Sequence, residues 1–195
     1  IIEGARGSAL LETLRRLNLH AQKIAIDSTL GQRISSFDVL LIDQRALTLR
    51  KEVLQYYPEL KRFWEKGGHL IILAQDAETW NKAPLWKGIQ LQFTRALDAQ
   101  TTVANDSTHR QFSLPNKLSE SDWDGWLYYR VYNIIGGEEL KSAEVPLRVK
   151  ESGVPLIISK KVGEGRWTYV DLALRPQFLN IHKGAFHLLA NLISF

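Results

Sequence analysis

Amphipathic stretches in the first seventy residues predict two helices. Ser8 is a good N-cap residue, and the leucines that follow it recur at helical spacing on one face. Thr48 is expected to cap a second helical segment, which Pro58 interrupts or restarts because proline is tolerated in the first turn of a helix but not inside it. Gly67 and Gly68 then end that helix.

Short apolar runs between these helices predict strands. The runs at residues 37–43 and 69–74 are almost uninterrupted, which is typical of parallel strands buried on both faces, and residues 21–26 form a shorter candidate. This alternation of helices and strands predicts a doubly wound α/β sheet. In the second half, the pattern predicts strands at 89–94, 146–149, 155–162 and 165–172, a hairpin turn between the last two, and a helix at 185–192. No long linker is visible, so we expect residues 1–195 to form a single domain.

Composition excludes several classes of function. The sequence contains no cysteine, which rules out disulfides, thiolate metal sites and cysteine nucleophiles. The net charge is only +4 and the basic residues are scattered among acidic ones, so we expect no nucleic-acid binding. No apolar stretch reaches the ~18 to 20 residues of a membrane span. The chain lacks methionine and begins Ile-Ile-Glu-Gly, like the end of a strand, so we expect it to be a piece of a longer protein.

The segment Leu114–Tyr129, called here the aromatic segment, contains two tryptophans and two tyrosines without a helical or strand period. A connecting loop is usually polar, so this density of rings requires an explanation. Ser119 and Asp122 stand at the spacing of a capping box, and Leu118 and Trp123 occupy the hydrophobic-staple positions around it. This pattern predicts a capped helical turn.

The rest of the aromatic segment has two open interpretations. Asp124, Trp126, Tyr128 and Tyr129 combine rings with a carboxylate. A carbohydrate site uses both, because the C–H faces of a sugar stack on rings while its hydroxyls donate to carboxylates. Alternatively, the rings close the open end of the hydrophobic core.

Three stretches of the sequence are similar to one known family: residues 115–126, the hairpin at 162–170 and the final helix at 187–192. Together they resemble the class I glutamine amidotransferase-like domain found C-terminal to the catalytic domain of PIG-L type (LmbE-like) sugar deacetylases, and the resemblance covers nearly the whole chain. It implies a flavodoxin-like three-layer sandwich with a mostly parallel sheet and an added antiparallel hairpin region. It also implies a neighbouring catalytic domain and a carbohydrate ligand in a bacterial protein, and it leaves the compartment open between the periplasm and the cytoplasm.

The catalytic groups of both related activities are missing from the sequence. PIG-L deacetylases bind zinc through a His-Pro-Asp-Asp type motif, which is absent here, and the five histidines lack ligand spacing. Class I amidotransferases place a cysteine nucleophile on a tight turn between glycines, and the matching turn here reads Gln75-Asp76-Ala77-Glu78. We expect Asp76 to cap the helix that follows, and we expect no metal and no cofactor.

These observations predict a non-catalytic accessory domain of a carbohydrate-active protein, which contacts a ligand, a neighbouring domain or another subunit. Candidate ligand residues lie in the aromatic segment, in the loop before it, and at the carboxyl ends of the predicted parallel strands, where ligands bind in open α/β sheets. They are Asp43, Arg45, Gln75, His109, Asp124, Trp126, Tyr128 and Tyr129. The alternative is a hydrolase that uses Asp76, Asp124 or His109, and a third possibility is an oligomerisation surface.

Overall fold

The computed structural model describes residues 1–4 and 9–195. Within these residues, eight strands form two sheets. The strands are β1 (Val39–Ile42), β2 (His69–Leu73), β3 (Gln90–Phe93), β4 (Val103–Asn105), β5 (Asn133–Gly136), β6 (Glu144–Val149), β7 (Pro155–Val162) and β8 (Gly165–Val170). The predicted N-cap residue Ser8 lies outside the described residues.

Helices pack on both faces of the larger sheet. They are α1 (Ala9–Arg16), α2 (Leu30–Ile34), α3 (Ala46–Leu49), α4 (Tyr57–Glu65), α5 (Ala77–Lys82), α6 (Leu174–Leu179) and α7 (Lys183–Ile193), with 3-10 turns at Lys51–Tyr56, Arg110–Phe112, Glu120–Trp123 and Glu138–Ser142. None of these helices combines the length and the apolar character that crossing a bilayer requires.

The larger sheet has the order β1-β2-β8-β7-β6-β4 and is mixed. The pairs β1–β2 and β2–β8 are parallel, whereas β8–β7, β7–β6 and β6–β4 are antiparallel. Strands β3 and β5 form a separate antiparallel pair. The predicted flavodoxin-like sandwich with a mostly parallel sheet is therefore wrong. Turns of a few residues join β6, β7 and β8, and so short a connection permits only antiparallel pairing.

The parallel strands bury both faces, as their apolar runs predict. Leu41 and Ile71 face one hydrophobic core, which helices α1, α6 and α7 cover. Leu40 and Leu70, one residue away in each strand, face a second core covered by α2, α4 and α5. Alternation along a strand places successive side chains on opposite faces, so a continuous apolar run supplies two cores at once.

Several local predictions are confirmed, and others are wrong. Pro58 lies in the first turn of α4, so the helix restarts there, and the hairpin β7–β8 forms as expected. Thr48 is inside α3 and caps nothing. Residues 21–26 form no strand, although the N–H of Ile24 donates to the carbonyl of Ile1 at 2.9 Å. The strand predicted at 89–94 exists as β3 but pairs with β5 outside the main sheet.

Candidate functional site

A cleft of about 400 Å³ opens at the carboxyl ends of β1 and β2, and we call it the carboxyl-edge cleft. Parallel strands leave such a crevice where their following loops diverge, which is why ligand sites are common there. The lining side chains combine charged groups, amides and rings. They are Gln44, Arg45, Ala74, Gln75, Asp76, Ala77, Glu78, Phe93, Arg95, Tyr129, Tyr132 and Asn133.

Gln75 ties the ends of the two parallel strands together beneath this cleft. Its side-chain N–H group donates to the carbonyls of Asp43 at 2.9 Å and Leu73 at 2.6 Å, and its Oε1 accepts from the N–H of Leu47 at 3.0 Å. The side chain is buried, so each of these bonds replaces one that water would otherwise make. The floor of the cleft is thereby held in one geometry.

Asp171 completes the floor from below. It follows β8, is fully buried, and accepts from the backbone N–H groups of Tyr132 at 3.1 Å and Asn133 at 2.5 Å. Its other oxygen accepts from the Asn133 side chain at 2.7 Å and the Tyr169 hydroxyl at 2.9 Å. Burial raises the pKa of Asp171 to about 7, and the hydrogen bonds from Asn133 and Tyr169 oppose that rise.

One ion pair stands at the mouth of the cleft. Arg45 Nε lies 3.1 Å from both carboxylate oxygens of Asp76, across the gap between the loops that follow β1 and β2. Arg45 has a left-handed backbone with φ +59°, a conformation that residues other than glycine rarely adopt. Asp76 occupies the N-cap position of α5 as predicted, but its carboxylate makes no capping hydrogen bond and pairs with Arg45 instead.

Rings line the opposite wall of the cleft. Phe93 is 59% exposed and Tyr129 is 37% exposed, although both are large and apolar. Tyr129 packs edge-on against Tyr132 with ring centroids 5.2 Å apart, and the guanidinium of Arg95 lies 5.7 Å from the centroid of Phe93. Exposed rings held against neighbours present flat apolar faces to a ligand without further ordering.

Three predicted ligand residues, Arg45, Gln75 and Tyr129, line this cleft together. Asp43 lies beside it, buried, and accepts from the N–H groups of Gly4 at 3.3 Å and Gln44 at 2.7 Å. Asp76, which the sequence offered as a helix cap or as a hydrolase carboxylate, also lines the cleft, and the sequence singled out none of the remaining cleft residues as ligand candidates. Phe93, Arg95, Tyr132 and Asn133 come from segments remote from the strand ends, so only the fold brings them here.

The other residues of the aromatic segment lie elsewhere. Trp126 is 5% exposed, packs against Trp123 with centroids 5.5 Å apart, and donates its indole N–H to the carbonyl of Asp122 at 3.2 Å. This position favours the core interpretation for that ring. Tyr128 points outward, 73% exposed, with φ +61°, and the Asp124 carbonyl lies 2.5 Å from His182 Nε2.

The predicted capping box is confirmed. The carboxylate of Asp122 accepts from the backbone N–H of Ser119 at 2.8 Å and from its hydroxyl at 3.0 Å, and it lies 2.9 Å from Nδ1 of His187. Burial raises the pKa of Asp122, but the hydrogen bonds from Ser119 and His187 outweigh it and leave the pKa lowered. The staple residues Leu118 and Trp123 are buried in the same core.

His109 lies in a different cluster, near the start of β8. Its Nε2 is 3.0 Å from the carboxylate of Glu144, and Nη1 of Arg166 donates to the same carboxylate at 2.7 Å. The guanidinium of Arg166 also lies 4.1 Å from the ring centroid of Phe195. His109 therefore does not join the carboxyl-edge cleft.

A second histidine, His69, was not a ligand candidate from the sequence and is buried beside this cluster. His69 Nε2 lies 2.8 Å from the hydroxyl of Thr168, which is 2.9 Å from the hydroxyl of Ser159. Burial lowers the pKa of His69 to about 3, so its ring is neutral at ordinary pH. Among residues 1–4 and 9–195, no three histidine or acidic side chains are grouped so that they could hold a metal ion.

Comparisons with known proteins find similar folds among solved structures. No family model and no curated protein matches the chain. Cytoplasmic Protein STM3548 from Salmonella typhimurium superposes with a TM-score of 0.63 at 15% identity, over 99% of this chain and 87% of that one. Cytoplasmic Protein STM1381 from Salmonella typhimurium LT2 gives 0.62 at 12% identity, over 98% and 86%.

Longer chains contain the same fold as one part. The exo-beta-1,4-mannosidase Op5Man5 from Opitutaceae bacterium strain TAV5 superposes with a TM-score of 0.55 at 18% identity. The match covers 95% of this chain but only 29% of the mannosidase. At these identities the likeness shows the fold alone.

Proposed function

We propose that this chain is a non-catalytic carbohydrate-binding domain whose ligand occupies the carboxyl-edge cleft. The observation that carries the proposal is the meeting of the exposed rings of Phe93 and Tyr129 with the Arg45–Asp76 pair over a rigid polar floor. Rings provide faces for the C–H surfaces of a sugar, and the paired charged groups provide a donor fork and acceptors for its hydroxyls.

The chemistry of the lining supports binding rather than hydrolysis. None of the twelve lining residues is a serine, threonine or histidine that could serve as a nucleophile or a base. Asp76 forms an ion pair with Arg45 at 3.1 Å, and Glu78 forms one with Lys82 at 2.6 Å. The hydrogen bond from Lys82 lowers the pKa of Glu78. A glycosidase needs a carboxyl group with a raised pKa within reach of the glycosidic oxygen. Asp171 has the raised pKa but is fully buried beneath Asn133.

An accessory role within a longer carbohydrate-active protein, such as a deacetylase of the PIG-L type, is part of the same proposal. The match covers 29% of the mannosidase and 26% of a β-galactosidase from Bacillus circulans sp. alkalophilus. Each of these longer chains therefore contains the fold as about a quarter of its length. The choice of ligand class rests on the rings and charged groups of the cleft, because likeness at 18% and 13% identity supports the fold only.

The test is calorimetric titration of the chain with a panel of hexoses and their β-1,4-linked disaccharides. We expect at least one sugar to bind saturably, and Tyr129→Ala to weaken it about tenfold, which corresponds to the loss of one stacking ring. Tyr128→Ala is the matched control, because Tyr128 is the adjacent tyrosine and lies outside the cleft.

Three results would contradict the proposal. Binding that Tyr129→Ala leaves unchanged, or that Tyr128→Ala abolishes, would move the site away from the cleft. Turnover of nitrophenyl glycosides that disappears in Asp76→Asn would instead support the hydrolase alternative, because the Arg45–Asp76 pair would then serve catalysis.

A further inference from the structure

A second cleft, about 440 Å³ in volume, lies between α4, the loop after α5 and the hairpin turn of β7 and β8. None of the residues singled out from the sequence as ligand candidates lines it. The lining includes the rings of Tyr57, Trp64, Trp86 and Trp167, four lysines and two glutamates. We call it the tryptophan cleft.

Its floor is apolar and rigid. Trp86 and Trp167 are 9% and 2% exposed and meet edge to face with centroids 4.3 Å apart. Tyr57 and Trp64 form a second edge-to-face pair at 5.9 Å. Rings fixed in this way by the core provide a preformed slot for a flat apolar group. The indole N–H of Trp167 is buried in this floor and has no acceptor among the described residues.

Its rim has an excess of positive charge. Lys160 donates to Glu139 at 2.6 Å, and Lys61 lies 3.6 Å from Glu65, so these two lysines are neutralised locally. Lys87 and Lys161 are both exposed, and no carboxylate of the described residues lies within ion-pair distance of either. Two ammonium groups without an ion-pair partner, above an apolar floor, favour a ligand that has a negative charge on an apolar body.

We propose that the tryptophan cleft binds a small organic anion with a flat apolar body, of the class of aromatic carboxylates. The body lies against Trp64 and Trp86, and the carboxylate faces Lys87 and Lys161. The site is independent of the carboxyl-edge cleft, with which it shares no residue.

The experiment compares naphthalene-2-carboxylate with its neutral amide, naphthalene-2-carboxamide, by calorimetry at low salt and in about 0.5 M NaCl. We expect the carboxylate to bind about tenfold more tightly at low salt and this advantage to shrink at high salt, because exposed charges are screened. The double variant Lys87→Gln/Lys161→Gln is expected to reduce carboxylate affinity to that of the amide.

The matched control is Lys117→Gln/Lys150→Gln, which removes the same charge from two exposed lysines outside the cleft and is expected to change nothing. In NMR spectra, the indole N–H signals of Trp64, Trp86 and Trp167 should shift on binding, while that of Trp126 should not. Equal affinity for carboxylate and amide, an effect of the control variant, no saturable binding, or shifts confined to other indoles would overturn the proposal.

Discussion

The two clefts differ in what forms their floors. In the carboxyl-edge cleft the floor consists of Gln75, Asn133 and Asp171, whose buried polar groups have hydrogen-bond partners. The rings of this cleft lie at its rim. In the tryptophan cleft the floor is the hydrophobic core itself, formed by Trp86 and Trp167. A ring at the rim can be replaced with little loss of stability, whereas a ring in the floor also contributes to the packing of the core.

The largest expected effect tests this difference directly. Trp167→Ala should lower the free energy of unfolding by about 3 to 5 kcal/mol, because a fully packed ring is replaced by a cavity. Tyr129→Ala should lower it by about 1 kcal/mol or less, because that ring is partly exposed. Urea unfolding of both variants measures the two values. Equal destabilisation would remove the distinction between rim and floor.

A pH-dependent effect of a few kcal/mol is expected from the polar floor. Because the pKa of Asp171 is raised from 3.8 to about 7, the folded state holds this proton more tightly than the unfolded state. The contribution of Asp171 to stability therefore falls as pH rises from about 4 to 7 and stays low above that. His69 acts in the opposite direction, since its pKa is lowered to about 3 and its contribution is lost as pH falls below 6.5.

A comparison with Asp171→Asn isolates the first of these groups. The unfolding free energy of the wild type minus that of the variant should be larger at pH 5 than at pH 8. If the difference is the same at both values, Asp171 is ionised throughout, and the floor is a network around a permanent charge.

A smaller effect is expected at the link between the parallel strands. Gln75→Leu should lower the free energy of unfolding by about 2 kcal/mol, because the buried N–H of Leu47 and two strand-end carbonyls lose their partner. Gln55→Leu, at an exposed position, is the control and should stay within about 0.5 kcal/mol of the wild type. Thermal unfolding compares them, and equal values would mean that the floor is not rigid.

The smallest stability effect is expected at the rim. Arg45→Gln breaks an exposed ion pair with Asp76 and should change the free energy of unfolding by less than about 1 kcal/mol. It should nevertheless weaken sugar binding at the carboxyl-edge cleft and leave the binding of naphthalene-2-carboxylate unchanged. Arg110→Gln, outside both clefts, is the control. Loss of both ligands in Arg45→Gln would mean that the clefts are coupled.

Features that depend on nearby residues were predictable from the sequence. The capping box of Ser119 and Asp122, the restart of α4 at Pro58 and the β7–β8 hairpin all follow from short-range patterns. The sheet order was not predictable in this way. Nothing local indicates that β8 pairs in parallel with β2, almost a hundred residues earlier, because that contact depends on how the cores pack.

The same limit applies to the candidate site. Arg45 and Gln75 were found because they follow buried strands, where the fold class places ligands. Asn133 and Asp171 were missed, although an aspartate directly after the apolar strand β8 was a usable signal. Trp126 and Tyr129 could not be separated, since the aromatic segment has no periodicity to tell a core-facing ring from a rim-facing one.

Gly184, at the start of α7, fits against the capped turn so closely that a Cβ there would lie 1.9 Å from the carbonyl oxygen of Asp122. His187 also contacts Asp122, and Asn191 donates to the carbonyl of Asn116 at 2.7 Å. We therefore expect the turn and the helix to open together as one unit. Amide protons of both elements should exchange with solvent in a single sub-global event, with the same opening free energy.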